Sequence, residues 1–145
     1  MLPAQRAGMA KPWDLFERTA QFAVEICEFC ETLPSQPEAA EVAAQLRRAA
    51  RGVASNYRAA RRGRSDSEFI AKLGTVVEES DESLFWLQHL VATGLVRSKN
   101  IEPLHQEANE LVAMFTAAYK TAKANAEAKK RRRRNRGRKP EQGGK

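Results

Sequence analysis

Apolar residues recur along this chain with a helical period in four successive blocks. In residues 13–33, Leu15, Phe22, Ile26, Phe29 and Leu33 return at spacings of three, four and seven, and Phe16, Ala20, Ala23, Cys27 and Cys30 widen the stripe. Pro12 suits the start of that helix. The prolines of Leu33-Pro34-Ser35-Gln36-Pro37 end it and open a second helix over 37–62, which Gly63 punctuates. Val42, Leu46, Ala49, Ala50, Val53, Tyr57 and Ala60 fall within an arc of roughly 100° on that helix. Ser65-Asp66-Ser67-Glu68 matches a capping box and opens a third helix, whose inner face is Phe69, Leu73, Val76, Val77, Ser80, Leu84, Leu87 and Val91. Gly94 suits the left-handed position that ends it. A fourth helix begins between Ser98 and Pro103, with Leu104, Leu111, Met114, Phe115 and Ala118 inward, and runs on into the Ala/Lys-rich 119–128. No segment alternates as a strand would, and no internal repeat is present. Four amphipathic helices joined by short turns predict an all-α, antiparallel up-down-up-down four-helix bundle.

Charge changes the picture by its distribution. The chain of 145 residues carries a net +7, but residues 129–145 hold ten Lys/Arg against one acid, Glu141. Residues 1–128 hold 15 basic and 17 acidic residues, so the body is mildly acidic. The sequence therefore divides into a flexible leader (1–11), a bundle (12–128) and a basic tail (129–145) expected to be disordered, because like charges repel and nothing apolar is available to bury. No apolar run approaches the 18 or so residues that span a bilayer, so no membrane association is expected. Two cysteines make no disulfide framework, which fits a reducing, intracellular setting.

The second helix has a second face. Arg47, Arg48, Arg51, Arg58, Arg61 and Arg62 occupy an arc of about 140° displaced from the apolar one, and Arg64 follows in the turn. No acid lies between Glu41 and Asp66. Guanidinium forks suit phosphate oxygens, so these residues are candidate contacts to RNA or DNA backbone, without base-specific readout. The alternative is ion pairing with Glu78, Glu79, Asp81 or Glu82 of the third helix, within or between subunits. In the tail, Lys129, Lys130, Arg131, Arg132, Arg133, Arg134, Arg136, Arg138 and Lys139 would bind nucleic acid by counterion release. A merely solubilising end is the alternative there.

Phe85 and Trp86 fall off the inner face of the third helix and are candidate anchors of an oligomer interface, unless a wide core face wraps over them. Trp13 would cap one end of the bundle. Cys27-Glu28-Phe29-Cys30 lies mid-helix with no second pair to complete a zinc site, and reads as packing. Glu102-Pro103-Leu104-His105 matches half of a carboxylate di-iron motif, but the inner faces offer no further glutamates, so it reads as a helix start. No phosphate-cradling glycine loop, nucleophile elbow or zinc-protease helix is present. The expectation is a non-enzyme without metal or cofactor.

The strings Gln45-Leu46-Arg47-Arg48-Ala49-Ala50, Val53-Ala54-Ser55-Asn56 and Ser67-Glu68-Phe69-Ile70, with Leu73 three residues on, resemble a family of small bacterial four-helix-bundle proteins. Its founding members are encoded within intervening sequences of large-subunit ribosomal RNA genes. Asp81-Glu82-Ser83-Leu84-Phe85-Trp86-Leu87 and Gly94-Leu95 look like the same family, and the resemblance covers residues 13–124. It extends to the accessory variability protein of diversity-generating retroelements, a homopentamer that works with a reverse transcriptase. The resemblance implies nucleic-acid association, self-assembly as a pentamer, a reverse transcriptase partner and a bacterial cytoplasm. Tyr57-Arg58-Ala59-Ala60 departs from the Ile-Ala-Glu-Gly-like run of many members, and the basic tail is not a general family feature.

Overall fold

The computed structural model describes residues 12–138, with the side chains of Pro12 and Trp13 left out. The expected leader, the capping role of Trp13, and Lys139 with the residues after it lie outside the described residues. Four helices follow in order: α1 (Pro12–Glu31), α2 (Pro37–Arg61), α3 (Asp66–Ala92) and α4 (Ser98–Gly137). Their ends carry the predicted signals. Pro37 sits in the first turn of α2. Ser65 Oγ accepts from the Glu68 backbone N–H at 3.1 Å, and the Glu68 carboxylate reaches back to accept from the Arg64 N–H at 2.7 Å. Gly94 closes α3 at φ 75°, the left-handed conformation in which only glycine escapes a Cβ penalty.

Cross-helix contacts fix the direction of each helix. Phe16 near the start of α1 meets Tyr57 near the end of α2 (ring centroids 5.1 Å), and Tyr57 meets Phe115 of α4 (5.4 Å). Lys129 late in α4 pairs with Asp66 at the start of α3 (3.1 Å), while Gln88 near the other end of α3 meets His105 near the start of α4 (3.1 Å). Consecutive helices are therefore antiparallel and adjacent, as short connections require. The core runs through Phe22, Ile26, Leu46, Val53, Leu73, Val76, Leu87, Leu111 and Phe115, all essentially inaccessible to solvent. Two mid-helix glycines let α3 come close to its neighbours. A Cβ at Gly52 would lie 2.9 Å from Glu79 Cδ, and one at Gly74 would lie 3.2 Å from the Tyr119 ring.

Some inner positions differ from expectation. Phe16, Ala20 and Ala118 are exposed, because α1 and α4 touch less than the consecutive helices do and leave the flanks of both stripes open. Ser83, Leu90, Ile101, Glu107 and Ala108 are buried, although the periodic reading passed over them. The two serines of α3 tolerate burial by donating back one turn, Ser80 Oγ to the Val76 carbonyl (2.7 Å) and Ser83 Oγ to the Glu79 carbonyl (2.9 Å).

One further difference concerns the tail. Residues 129–137, expected to be disordered, continue α4, which spans 40 residues or about 60 Å. Ala122 packs against the core, and the Lys129–Asp66 pair ties the helix to the start of α3. Beyond that point lysine and arginine are themselves good helix formers, and cations near a helix C-terminus face the negative end of its dipole. No helix among the described residues is long and apolar enough to cross a membrane.

Candidate nucleic-acid interface

The antiparallel course decides where the basic residues meet. The end of α2, the start of α3 and the end of α4 share one end of the bundle. Arg58, Arg61, Arg62 and Arg64 are exposed there, and so are Lys129, Lys130, Arg131, Arg132, Arg133, Arg134, Arg136 and Arg138 on the α4 extension. Segments some 70 residues apart in sequence thus form one basic end. Between them, Lys129 alone is engaged in an ion pair among the described residues, and that pair is exposed on both sides.

Arg47, Arg48 and Arg51 lie elsewhere, about halfway along α2. With Ala44, Gly52, Ser55 and Glu79 of α3 they line an open cleft of about 630 Å³. Among the described arginines of α2, Arg48 alone follows the ion-pair alternative. Its Nη2 donates to Glu82 Oε1 at 3.1 Å and to Gln45 Oε1 at 2.8 Å. Glu82 Oε1 also accepts from Trp86 Nε1–H at 3.2 Å. Arg47 and Arg51 make no ion pair among the described residues, and Arg47 is half-buried. The predicted arginine surface is therefore two surfaces, an end and a cleft, because α2 is long enough to carry its arginines past three helical turns.

The aromatic pair also divides. Phe85 is 52% exposed, whereas Trp86 is half-buried against the core. Phe85 stacks on His89 (5.8 Å) and meets Trp86 edge-on (4.9 Å), so the three rings form one surface cluster. Among the other motifs, Cys30 is buried, and burial pushes its thiol up to about 11 against the opposing pull of Arg47 and Arg51. A thiol so raised is a poor nucleophile at neutral pH. Glu102 is exposed, and His105 faces Gln88 and Asn109 at the end opposite the basic one.

Two charged features escaped the sequence reading. Arg18 of α1 donates Nε to both Glu107 oxygens of α4 (3.0 and 3.2 Å) and Nη2 to Glu107 and Glu110. The Arg18 and Glu107 side chains are 11% and 10% exposed. Hydrogen bonding to Glu107 raises the Arg18 pKa further, against the cost of burial. The available signal was Glu107 itself, an acid in register with Leu104, Leu111 and Met114 on the inner face. The second is the burial of Glu79, foreseen only as a candidate arginine partner: its carboxyl is raised by burial and by Glu82, with Arg48 opposing.

A family model described as 23S rRNA-intervening sequence protein matches residues 11–117. Among solved structures, the chain is similar to a protein of unknown function from the S23 ribosomal protein family of Bacteroides thetaiotaomicron. The two are 22% identical, with a TM-score of 0.70, covering 77% of this chain and 99% of that one. At that identity the likeness concerns the fold. No curated protein matches the chain.

Proposed function

The chain belongs to the 23S rRNA-intervening sequence protein family, and from that premise we propose that it is a non-enzymatic bundle that binds RNA or DNA through phosphate contacts at its basic end. The observation that carries this reading is the convergence of Arg58, Arg61, Arg62 and Arg64 with the helical run 129–136 at one end of the molecule. An ordered array of unpaired guanidinium groups binds phosphates without first ordering the chain, so its contacts lose less entropy than those of a free tail. The end is also the focus of the positive field, since the rest of the body is mildly acidic, and anionic ligands are steered to it. The Phe85–Trp86–His89 cluster, of which Phe85 is exposed, supports self-association as the second part of the reading, with Phe85 as the anchor that a neighbouring copy covers.

Binding to a labelled RNA hairpin and a matched DNA duplex across a salt series tests the first part. The full chain, an R58A/R61A/R62A variant and a chain ending at residue 128 are compared at equal assembly state. On duplex DNA the arginine variant loses roughly 2–3 from the slope of log affinity against log salt, and truncation loses more. Slopes unchanged by both alterations would refute the assignment.

A further inference from the structure

The cleft and the basic end are carried by the same helix, and the outward face of that helix joins them. At about 100° per residue, Arg47, Arg51, Arg58 and Arg62 fall within an arc of about 60°. The arc is turned away from the buried stripe of Leu46, Val53 and Tyr57. At a rise of about 1.5 Å per residue the four arginines span about 22 Å along the axis. Arg51, Arg58 and Arg62 are exposed and Arg47 is half-buried. None of the four makes an ion pair among the described residues, whereas Arg48, to one side of the row, is engaged by Glu82. Between Arg51 and Arg58 the row passes Ala54 and Ser55, which are small and uncharged and leave it unobstructed. On α2 itself the nearest acid is Glu41, before the row begins, and none follows before Asp66. Glu79, the acid of the cleft, packs against Gly52 with one oxygen buried, so Arg47 and Arg51 outnumber it at the surface.

Such a row suits one form of polyanion better than others. Arginine keeps its charge at every working pH, and its planar fork matches phosphate oxygens. The row is straight, because α2 is one uninterrupted helix from Pro37 to Arg61 with Arg62 at its cap. A strand of a duplex is not straight. It winds once about its axis in about 34–36 Å, and so turns through about two-thirds of a circle over the length of the row. A duplex backbone therefore crosses the row, whereas an unpaired strand is free to follow it from end to end. The row offers bases no stacking platform, since Tyr57, the aromatic residue of this segment, is buried. Contact is then with the backbone and tolerates any sequence.

We infer that an unpaired stretch of nucleic acid lies along α2, its phosphates running from Arg62 at the basic end past Arg58 to Arg51 and Arg47 in the cleft. The inference rests on the phosphate-binding reading above and deepens it. It extends the site up the side of the bundle and assigns a single strand to that extension.

The test compares the full wild-type chain with R47A/R51A, R58A/R61A/R62A and the charge-conserving R47K/R51K. Fluorescence anisotropy across a salt series uses a labelled oligouridylate of about 12 nucleotides, a duplex of about 12 base pairs and a polyglutamate of similar length. On the single strand, R47A/R51A loses about 1.4 from the slope of log affinity against log salt, two contacts at about 0.7 each, and R47K/R51K restores it. On the duplex, R47A/R51A keeps the wild-type slope. A single-strand slope unchanged in R47A/R51A but lowered in R58A/R61A/R62A would overturn the extension and leave the basic end standing. Absence of binding to either nucleic acid would remove both readings. An equal loss on duplex and single strand would overturn the single-strand assignment. Polyglutamate binding more tightly than the oligouridylate, and weakened more by R47A/R51A, would overturn the inference in favour of an acidic protein. A sedimentation mass altered in R47A/R51A would overturn it by placing these arginines between subunits.

Discussion

At the scale of single residues, the described residues include a buried Arg18–Glu107 pair and a buried Glu79 oxygen without a hydrogen-bond partner among them, and the two make opposite predictions. Arg18 and Glu107 are nearly inaccessible and satisfy each other between α1 and α4. Removing one partner strands the other in a low-dielectric site. Arg18→Ala is therefore expected to cost about 3–5 kcal/mol, and the paired R18M/E107L change much less, as measured by urea unfolding. Glu79 behaves in reverse. Burial and the acids Glu82 and Glu78 raise its folded-state pKa above the ordinary value, against Arg48, so the folded form holds the proton more tightly than the unfolded form. Stability attributable to this group is present below the ordinary carboxylate pKa and is lost as pH rises through the raised value. Glu79→Gln removes that loss. It should raise stability at neutral pH by at most about 1 kcal/mol, discounted because the side chain is only partly buried, and flatten the acid-side pH profile. A variant less stable than the parent at neutral pH would show that the carboxylate has a partner in solution.

At the scale of elements, α3 and α4 are stabilised by different means. The start of α3 is held by local hydrogen bonds, so Ser65→Ala should cost about 1 kcal/mol in chemical denaturation. The last turns of α4 project past the start of α3, and among the described residues one exposed ion pair anchors them. Truncation at residue 128 is therefore expected to leave unfolding stability within about 1 kcal/mol. Carbon chemical shifts over 129–137 should nonetheless report helix in the full chain, and random-coil values there would contradict the extension. Gly52 and Gly74 mark the two close approaches of α3, one to the Glu79 carboxylate and one to the Tyr119 ring. Both are mid-helix glycines, which helix propensity alone disfavours.

At the scale of the whole molecule, the proposed function rests on charge separation along the bundle. One end carries the basic cluster, while Phe85 stands out among the aromatic residues on the side of α3 as half exposed. Phe85→Glu is expected to lower the sedimentation mass of the assembled protein without changing its helicity, since the ring contributes little to the monomer core. An unchanged mass would place the interface elsewhere. Because the basic end and this cluster occupy different surfaces, the same variant should weaken nucleic-acid binding only through the loss of multivalency.

Helix number, caps and most core positions were legible in the sequence, because each depends on neighbours within a few turns. Ser65, Glu68 and Gly94 act through backbone groups no more than five residues away, and Leu46, Val53, Leu73 and Leu111 follow from a 3.6-residue period. The helical arginines were legible as a set for the same reason. What each arginine faces was not, because that depends on which residue of another helix lies opposite. Arg48 met Glu82, Arg47 and Arg51 met a cleft, and Arg58 to Arg64 came to share an end of the bundle with the far end of α4. Arg18 with Glu107, and Glu79 against Gly52, lay beyond a one-dimensional reading, since a charged residue looks solvated until its partner across the bundle is known. The sequence alone determined which faces were apolar and which were basic. Only the antiparallel packing decided that two basic segments share one end, because side chains remote in sequence come together only when the helices between them reverse direction.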